Sequence, residues 1–401
     1  MVNMSKKNKK NFQSNIYISM ISIYLVLYII GQANFSNRQS QLFVGVSNIL
    51  NAIIFISVIG LFIYRILDIN KRKLLYLIIG VPIIIGVYFY SHKSLLIPYL
   101  FIYEYPSELN LKKLSKILYR CMFVSMCMIL ILYYLNFLQD VSIVQHGVLR
   151  HSLGFVTAQT YGNDILLLFF LKLYSSWNSW NIRDTLIWIF IISYSYLAAN
   201  SRAALYLSVV SMIMIIIYRA NLFPKWIQQI TYYIPVIAFT ICMSLSIFYM
   251  IYFSDFQTNL YNSLNSFTNG RLYYMITFYN QYGIHILGAP LMTISASMAQ
   301  SSNGFLQWMG LDNSYAYIII NYGVITLIAY WVMYWYSTIK IKNEKNFGGA
   351  IYLIAFAFLG LTENYMQVPA LNFSLLIFGS YLSQGVSIWN NSKENIKNET
   401  I

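Results

Sequence analysis

The chain has 401 residues, of which 58% are hydrophobic and only 9% are charged, and its formal net charge is +14. Charged residues make up roughly a quarter of an ordinary soluble domain, so this composition excludes a soluble globular protein and favours a polytopic membrane protein. Its apolar runs of about 15 to 25 residues suit helices that cross a core of about 30 Å, and not the alternating strands of a β-barrel. The predicted fold class is therefore all-α.

In chain order, the apolar runs predict about twelve membrane-spanning helices within a single transmembrane domain over 1–401. A basic stretch from Met1 to Lys10 precedes the first run, which we expect to stay as an uncleaved helix. One long extracytoplasmic loop over 254–312 separates the ninth and tenth runs, and a cytoplasmic tail over 389–401 follows the last. The predicted spans cover 14–32, 42–66, 74–90, 94–105, 116–138, 161–175, 185–199, 203–218, 229–253, 313–337, 348–363 and 371–388.

The fourth run, 94–105, is the weakest of the predicted spans, because it is short and contains Pro98. Whether it crosses the membrane determines on which side every later loop lies. Short cytoplasmic loops carry an excess of Lys and Arg. If this run crosses and both termini are cytoplasmic, all but five of the 26 Lys and Arg residues fall on the cytoplasmic side. The net charge is therefore expected to reflect topology, and a nucleic-acid partner is not predicted. The five exceptions are Arg38, Lys93, Arg150, Arg202 and Arg271.

Three of those exceptions, Arg150, Arg202 and Arg271, are the most informative residues on the predicted outer face. A guanidinium stays charged and can grip phosphate oxygens with two donors at once, so the three suit a lipid diphosphate in the outer leaflet. Alternatively, arginines near helix ends reach lipid headgroups and anchor their helices. Arg202 stands among small residues, and either a phosphate or the carboxylates of Asp164 and Glu363 could balance its charge.

The candidate catalytic residues are Asp312, Glu363 and His285, all on the same predicted face. A carboxylate at a partly desolvated site has a raised pKa and can accept a proton from a sugar hydroxyl. Asp312 could equally be the N-cap of the helix that follows it. Glu363 lies at a helix C-terminus, where the helix dipole disfavours an anion, so we expect it to have a cationic partner. His285 is an alternative base, and the choice among the three stays open.

Aromatic residues make up 18% of the chain, and Tyr315 is a candidate for stacking on a sugar because it lies close to Asp312. Tyrosines also gather at membrane interfaces for reasons unrelated to substrate. The sequence lacks the His-Glu-x-x-His, Cys-x-x-Cys and Asp-x-Asp motifs, and it has no glycine-rich phosphate loop after a strand. We therefore expect no metal and no cofactor, and the free energy of any reaction would have to come from the substrate.

Four stretches of the chain resemble the Wzy-type oligosaccharide repeat-unit polymerases, which are relatives of the O-antigen ligases. These stretches are Leu153–Asn163, Asn200–Ala204, Asn269–Arg271 and Asp312–Ile325, and the resemblance covers roughly residues 150–330. Two positions depart from the family pattern. Asp312 stands where related enzymes often have His, and Val156-Thr157-Ala158-Gln159 replaces a frequent His-Pro-Asn.

The resemblance implies a C-type glycosyltransferase architecture in the bacterial cytoplasmic membrane, with the active face outside. Such an enzyme transfers a growing glycan from undecaprenyl diphosphate to a new lipid-linked repeat unit, without metal or nucleotide sugar, and builds capsule, exopolysaccharide or O-antigen. The resemblance also implies that Arg202 and Arg271 bind the departing diphosphate. The implied partners are undecaprenyl-diphosphate-linked oligosaccharide and membrane lipids, and a chain-length regulator and a flippase are further candidates.

Two other functions fit a chain of this length, charge and predicted helix count. A flippase or transporter of lipid-linked oligosaccharide should place charged residues and broken helices near the midplane and often has two similar halves, and the sequence has no such repeat. A ligase of the O-antigen type would move the finished glycan to another acceptor. The absence of His at position 312 favours the polymerase over the ligase.

Overall fold

The computed structural model describes residues 6–35, 37–65, 71–145, 147–222, 224–255, 259–294 and 309–384. This part of the chain is mostly helical, as predicted, with one small antiparallel hairpin of β1 (Ile143–Gln145) and β2 (Val148–Arg150). The predicted tail over 389–401 lies outside the described residues. The helices are α1 (Lys6–Ile30), α2 (Asn37–Arg65), α3 (Lys71–Ser91), α4 (Leu96–Tyr103), α5 (Leu111–Tyr134), α6 (Ala158–Ser176), α7 (Ile182–Ala199), α8 (Arg202–Arg219), α9 (Lys225–Thr231), α10 (Ile234–Tyr252), α11 (Asn259–Phe267), α12 (Arg271–Tyr282), α13 (Ser314–Asn343), α14 (Phe347–Leu359) and α15 (Phe373–Gln384).

Eight helices of the described chain, α1, α2, α3, α5, α7, α8, α10 and α13, are long and apolar enough to cross a membrane. The prediction of an all-α, multi-pass membrane protein is confirmed at this level. The count of twelve spans stays a prediction, because α14 and α15 have only 13 and 12 residues, α4 has eight, and the 19-residue α6 is not one of the eight. The described part of the predicted long loop over 254–312 contains α11 and α12.

The fourth predicted span is a short helix that follows a non-helical segment over 92–95. Because α4 has eight residues, it is only about 12 Å long and cannot cross a bilayer alone. Its Tyr99 stacks on Tyr76 of α3 at 4.6 Å between ring centroids, and the carbonyl of Tyr103 accepts a hydrogen bond from Lys73 at 2.5 Å. Segment 92–105 therefore returns along α3 to the end where α3 begins.

The helical hairpin of α7 and α8 defines two ends of the bundle. One end carries the turn Asn200–Ser201 between the two helices, and we call it the arginine end because Arg202 begins α8 there. At the other end, the Arg219 guanidinium donates to the carbonyl of Trp177 and stacks over its ring at 4.4 Å. Each helix has 18 residues, so the two ends are about 27 Å apart. We call the second one the basic end.

Helices α6 and α14 form the centre of the bundle. Most of their side chains are buried, and α6 packs against α5, α7, α8 and α14. At the arginine end, α6 begins at the N-cap Thr157, whose hydroxyl accepts a hydrogen bond from the backbone of Thr160 at 3.1 Å. Segment 360–372 then runs from α14 at that end toward the basic end, where Phe373 packs on Tyr174 at 4.9 Å between ring centroids. Both central helices therefore have an end at the arginine side.

Segment 283–294 enters the bundle beside an irregular part of α13. That helix contains one π-helical turn over Ile318–Tyr322, which ends at Gly323 with a φ of 87°. Gly288 also has a positive φ, of 85°, and a Cβ there would lie 2.2 Å from the carbonyl oxygen of Asn321. Only glycine allows these two backbones to approach so closely. A π-helical turn inside a long helix often marks a functional region.

Candidate functional site

Arg150 is the last residue of β2, and its position is fixed by the end of α7. Its Nε donates to the carbonyl of Ala199 at 2.9 Å, and the backbone N–H of the next residue, His151, donates to Ala198 at 2.9 Å. The Asp140 carboxylate holds the base of this loop by accepting from His151 Nδ1 at 2.6 Å and from the backbone of Ser152 at 2.8 Å. Partial burial raises the pKa of Asp140, but these hydrogen bonds to its anion outweigh that effect and lower it.

Arg202 is presented at the start of α8 by a tight turn. Asn200 ends α7 in the left-handed conformation with a φ of 46°, which Asn tolerates better than most residues. Ser201 then begins α8 in an extended conformation, and Arg202 is exposed. The structure describes no carboxylate within 4.0 Å of the Arg202 guanidinium, so neither Asp164, which is fully buried, nor Glu363, which contacts Arg271, is the partner that the sequence suggested for it.

Arg271 begins α12 after two residues with positive φ, Asn269 at 55° and Gly270 at 81°. The Arg271 side chain is only 18% exposed and points toward two carboxylates. Its Nη2 lies 3.4 Å from Oε1 of Glu363, and its Nε lies 3.8 Å from Oδ2 of Asp312. The cationic partner predicted for Glu363 is therefore Arg271.

The three arginines line one small cavity at the arginine end, which we call the arginine cavity. Its volume is about 50 Å³, and no carboxylate lines it. Burial and the nearby charges of Arg271 and Arg202 lower the pKa of Arg150, as expected when like charges converge. The sequence placed the three arginines on one face, and the structure brings them to one cavity. The lining residues are Arg150, Gln159, Asn200, Ser201, Arg202, Ala203, Asn269 and Arg271.

Asp312 is available to Arg271 because a neighbour caps the helix. The Asn313 side chain accepts a hydrogen bond from the backbone of Ala316 at 2.9 Å, so Asn313 is the N-cap of α13. The alternative role of Asp312 as a cap is therefore excluded. Burial raises the pKa of Asp312, although the Arg271 charge acts in the opposite direction.

Glu363 lies in segment 360–372 directly after α14, and its side chain is buried. Its carboxylate accepts a hydrogen bond from the Gln159 amide, and its backbone carbonyl accepts one from Ser314 Oγ at 2.5 Å. Burial raises the pKa of Glu363 to about 8, against the opposing effect of Arg271. Asp312 adds to the increase because its negative charge disfavours a second anion.

A fully buried polar pair of α6 lies next to the carboxylates. Asn163 and Asp164 have no exposed surface, and their side-chain polar atoms make no hydrogen bond of standard geometry within the described chain. Asn163 follows Gln159 by four residues, so both side chains lie on the helix face that meets Glu363. Gln159 and Asn163 are not among the site residues predicted from the sequence. Polar residues four positions apart in an apolar helix were the signal that could have identified them.

His285 does not come together with the arginines. It follows α12, whereas Arg271 begins that helix, and the 12 residues of α12 separate the two ends by about 17 Å. The imidazole Nε2 is 2.7 Å from the carbonyl oxygen of Tyr282, and the His285 carbonyl accepts from the backbone of Val324 at 3.0 Å. Proximity therefore does not support His285 as the base, and Asp312 and Glu363 are the candidates that contact Arg271.

Tyr315 belongs to the core and does not line the arginine cavity. The side chain has no exposed surface, its hydroxyl donates to the carbonyl of Ala357 at 2.7 Å, and its ring meets Phe239 edge-on at 5.1 Å between centroids. The helix begins immediately before Tyr315, and this turns the side chain toward α14. Neither face of the ring is open to a sugar, so the predicted substrate contact is not supported.

The arrangement combines three cations, two carboxylates with raised pKa values and a cavity at one end of a helical bundle. It can bind a compact anion and can exchange a proton beside it. Within the described residues, no group of three or more His, Cys, Asp or Glu side chains is arranged to hold a metal ion. Comparisons with protein-family models, curated proteins and solved structures found no match.

Proposed function

We propose that this protein is a glycosyltransferase that polymerises undecaprenyl-diphosphate-linked oligosaccharide repeat units into a surface polysaccharide. The observation that carries the proposal is the convergence of Arg150, Arg202 and Arg271 on one cavity that no carboxylate lines. In this proposal the arginine end faces the outside of the bacterial cytoplasmic membrane, and the basic end faces the cytoplasm, as the excess of Lys and Arg favours.

A diphosphate is the anion that this charge distribution fits best. Asp312 and Glu363 balance Arg271, whereas Arg202 has no described carboxylate within 4.0 Å. A diphosphate carries more than one negative charge and offers oxygens on two phosphorus atoms, so separate guanidinium groups can grip it. A lipid diphosphate also stays at the membrane surface, which is the depth proposed for the arginine end.

In the proposed reaction, the hydroxyl of the acceptor sugar attacks the anomeric carbon of the donor glycan. The bond between that carbon and the diphosphate oxygen breaks, and the electron pair leaves with the diphosphate. Arginines directed at the developing negative charge lower the barrier by about 3 kcal/mol each, by analogy with single donors of an oxyanion hole. A single displacement of this kind inverts the configuration at the anomeric carbon.

The acceptor proton passes to one of the carboxylates beside Arg271. Glu363 is the favoured candidate, because burial raises its pKa to about 8, into the range in which proton acceptance and release are both possible. Its hydrogen bond from Gln159 also links it to the arginine cavity, which Gln159 lines. Asp312 is the second candidate, and its contact with Arg271 is longer, at 3.8 Å.

A flippase of lipid-linked oligosaccharide is the second candidate function. The observation that favours it is the π-helical turn at Ile318–Tyr322, since interrupted helices beside buried polar groups are common in transporters. The fully buried Asn321 belongs to this turn. The arginine cavity lies at the end of the bundle and not at its middle, and this favours the polymerase. A ligase would use the same donor and the same diphosphate site with a different acceptor.

The test uses purified protein in nanodiscs, supplied with the lipid-linked repeat unit of the source bacterium and no nucleotide sugar. We expect a ladder of longer lipid-linked glycans with the wild type and at least a hundredfold lower rate with Arg202→Ala, because a developing dianion loses one cationic donor. Arg183→Ala is the matched control, since Arg183 is an exposed arginine at the basic end. No ladder, together with movement of the substrate between the leaflets of liposomes, would favour the flippase.

A further inference from the structure

A long apolar groove lies between α3, α4, α13 and α15, on the basic side of segment 283–294. Its volume is about 600 Å³, and most of its surface is apolar. Leu75, Ile79 and Ile328 line the groove and are 58%, 54% and 54% exposed, so it opens sideways from the bundle. Along α3 it extends from Arg72 to Ile84, which is about 18 Å at the helical rise and close to half of a 30 Å membrane core.

The groove exists because α4 is short and packs closely on α3. A Cβ on Gly80 would lie 2.3 Å from the ring of Tyr99, so glycine at this position lets α4 approach α3. The eight residues of α4 cover only part of the 21-residue α3. Packing between α3 and α13 leaves the remaining space open, and the side chain of Ala329 on α13 is too small to fill it.

Arg72 stands at the basic end of this groove. Its guanidinium lies over the ring of Tyr381 at 5.4 Å, and no described carboxylate is within 4.0 Å of it. The next residue, Lys73, donates a hydrogen bond from its ammonium to the carbonyl of Tyr103 and does not line the groove. An apolar channel with a guanidinium at its end is complementary to a molecule with a hydrocarbon chain and an anionic head.

We propose that the groove binds one acyl chain of an anionic phospholipid, with the phosphate against Arg72. The depth of the groove matches one leaflet, and its volume lies in the range of about 300 to 1,000 Å³ that is typical of small-molecule sites. Basic residues at the ends of transmembrane helices commonly receive anionic headgroups. This site lies at the opposite end of the bundle from the arginine cavity, so it does not depend on the proposed transferase function.

The experiment measures lipid retention by the purified full-length protein. Protein delipidated in detergent is offered equal amounts of phosphatidylglycerol and phosphatidylcholine with matched chains, and the bound lipid is counted by native mass spectrometry. We expect one phosphatidylglycerol per protein, retained at least tenfold better than phosphatidylcholine. Arg72→Ala should remove this preference, and Ala329→Trp should lower retention of both lipids because the indole fills the groove.

Lys113→Ala is the matched control, because it removes one exposed cation from the same end of the bundle and lies outside the groove lining. It should retain the lipid preference of the wild type. Equal retention of the two lipids by the wild type, or an unchanged preference in Arg72→Ala, would overturn the proposal. Stronger retention of a polyprenyl phosphate than of phosphatidylglycerol would also overturn it, since the groove would then belong to a different lipid class. Circular dichroism and size-exclusion chromatography identify any variant that fails to fold.

Discussion

The guanidinium of Arg271 lies 3.4 Å from the carboxylate of Glu363, although 92 positions separate the two residues in the chain. The two side chains are only 18% and 9% exposed, so water screens this contact poorly. Asp312 lies on another side of the same guanidinium, at 3.8 Å. One cation therefore holds two carboxylates from two separate segments at the arginine end.

We predict that Arg271→Ala destabilises the protein by about 3 kcal/mol at about pH 9, where Glu363 with its pKa of about 8 is ionised, because breaking a buried ion pair leaves the Glu363 anion without compensation. The double variant Arg271→Ala with Glu363→Gln should be less destabilised than the sum of the two single variants, since it leaves no anion at position 363. Thermal unfolding in detergent, analysed as a double-mutant cycle, measures this coupling. The control Arg183→Ala should change stability by less than about 0.5 kcal/mol. Additive effects of the two substitutions would show that the contact is not energetically coupled.

We predict that stability falls as pH rises from about 5 to about 8. The pKa of Glu363 is raised to about 8 in the folded state, above the usual value near 4.3, so the folded protein holds a proton that the unfolded chain releases. The stabilisation from this proton is complete below the pKa of Glu363 in the unfolded chain and is lost as pH rises through the pKa of Glu363 in the folded protein. The free energy of unfolding then falls by up to about 1.4 kcal/mol per pH unit. Unfolding temperatures measured at several pH values test it.

The matched variant for this prediction is Glu363→Gln, which keeps the shape of the side chain and cannot titrate. Its stability should depend less on pH than that of the wild type over the same interval. Asp312 also has a raised pKa and contributes in the same direction, so a smaller slope is expected to remain. An identical slope in the wild type and in Glu363→Gln would contradict the assignment.

The arginine cavity could be predicted in part, because the charge rule for membrane proteins reports on the position of a residue along the membrane normal. Arg150, Arg202 and Arg271 stood out as exceptions to that rule, and they do meet at one cavity. The rule does not indicate which residues contact one another in the plane of the membrane. Tertiary packing decides that Gln159 reaches Glu363 and that Asp164 does not reach Arg202.

Two predicted site residues, Tyr315 and His285, do not lie at the arginine cavity, because their distance from it depends on features that a sequence pattern does not contain. Tyr315 lies only three residues from Asp312, but the direction of its side chain depends on where the helix begins, and Asn313 fixes that start. His285 belongs to the same polar loop as Arg271, but a helix of 12 residues separates them. The residue at which a helix begins, and whether a polar loop contains a helix, both depend on packing partners that are distant in sequence.

We predict that Gly288→Ala destabilises the protein by about 3 kcal/mol or more, and by much more than Gly60→Ala. At Gly288 the φ is positive, and the new Cβ would meet the carbonyl of Asn321 at 2.2 Å, so both backbone strain and overlap oppose it. At Gly60, inside α2, nothing lies within 4 Å of the new Cβ, and alanine should stabilise the helix by about 0.5 to 1 kcal/mol. Thermal unfolding of both variants measures the difference. Similar unfolding temperatures would contradict the close approach of segment 283–294 to α13.

Binding of a diphosphate at the arginine cavity can be measured without a glycan substrate. Inorganic pyrophosphate should raise the unfolding temperature of the wild type, because a ligand that binds only the folded state stabilises it. Arg202→Ala should weaken this binding by about tenfold or more, since a hydrogen bond to a charged group contributes about 1.5 to 3 kcal/mol. The affinity of Arg202→Lys for pyrophosphate should lie between those of the wild type and Arg202→Ala, because an ammonium keeps the charge but loses the two-donor geometry. Binding should also weaken with added salt, in proportion to the screening of an exposed guanidinium. If Arg202→Ala binds pyrophosphate as tightly as the wild type and as the control Arg183→Ala, the arginine cavity is not a diphosphate site, and its cations act only as membrane anchors.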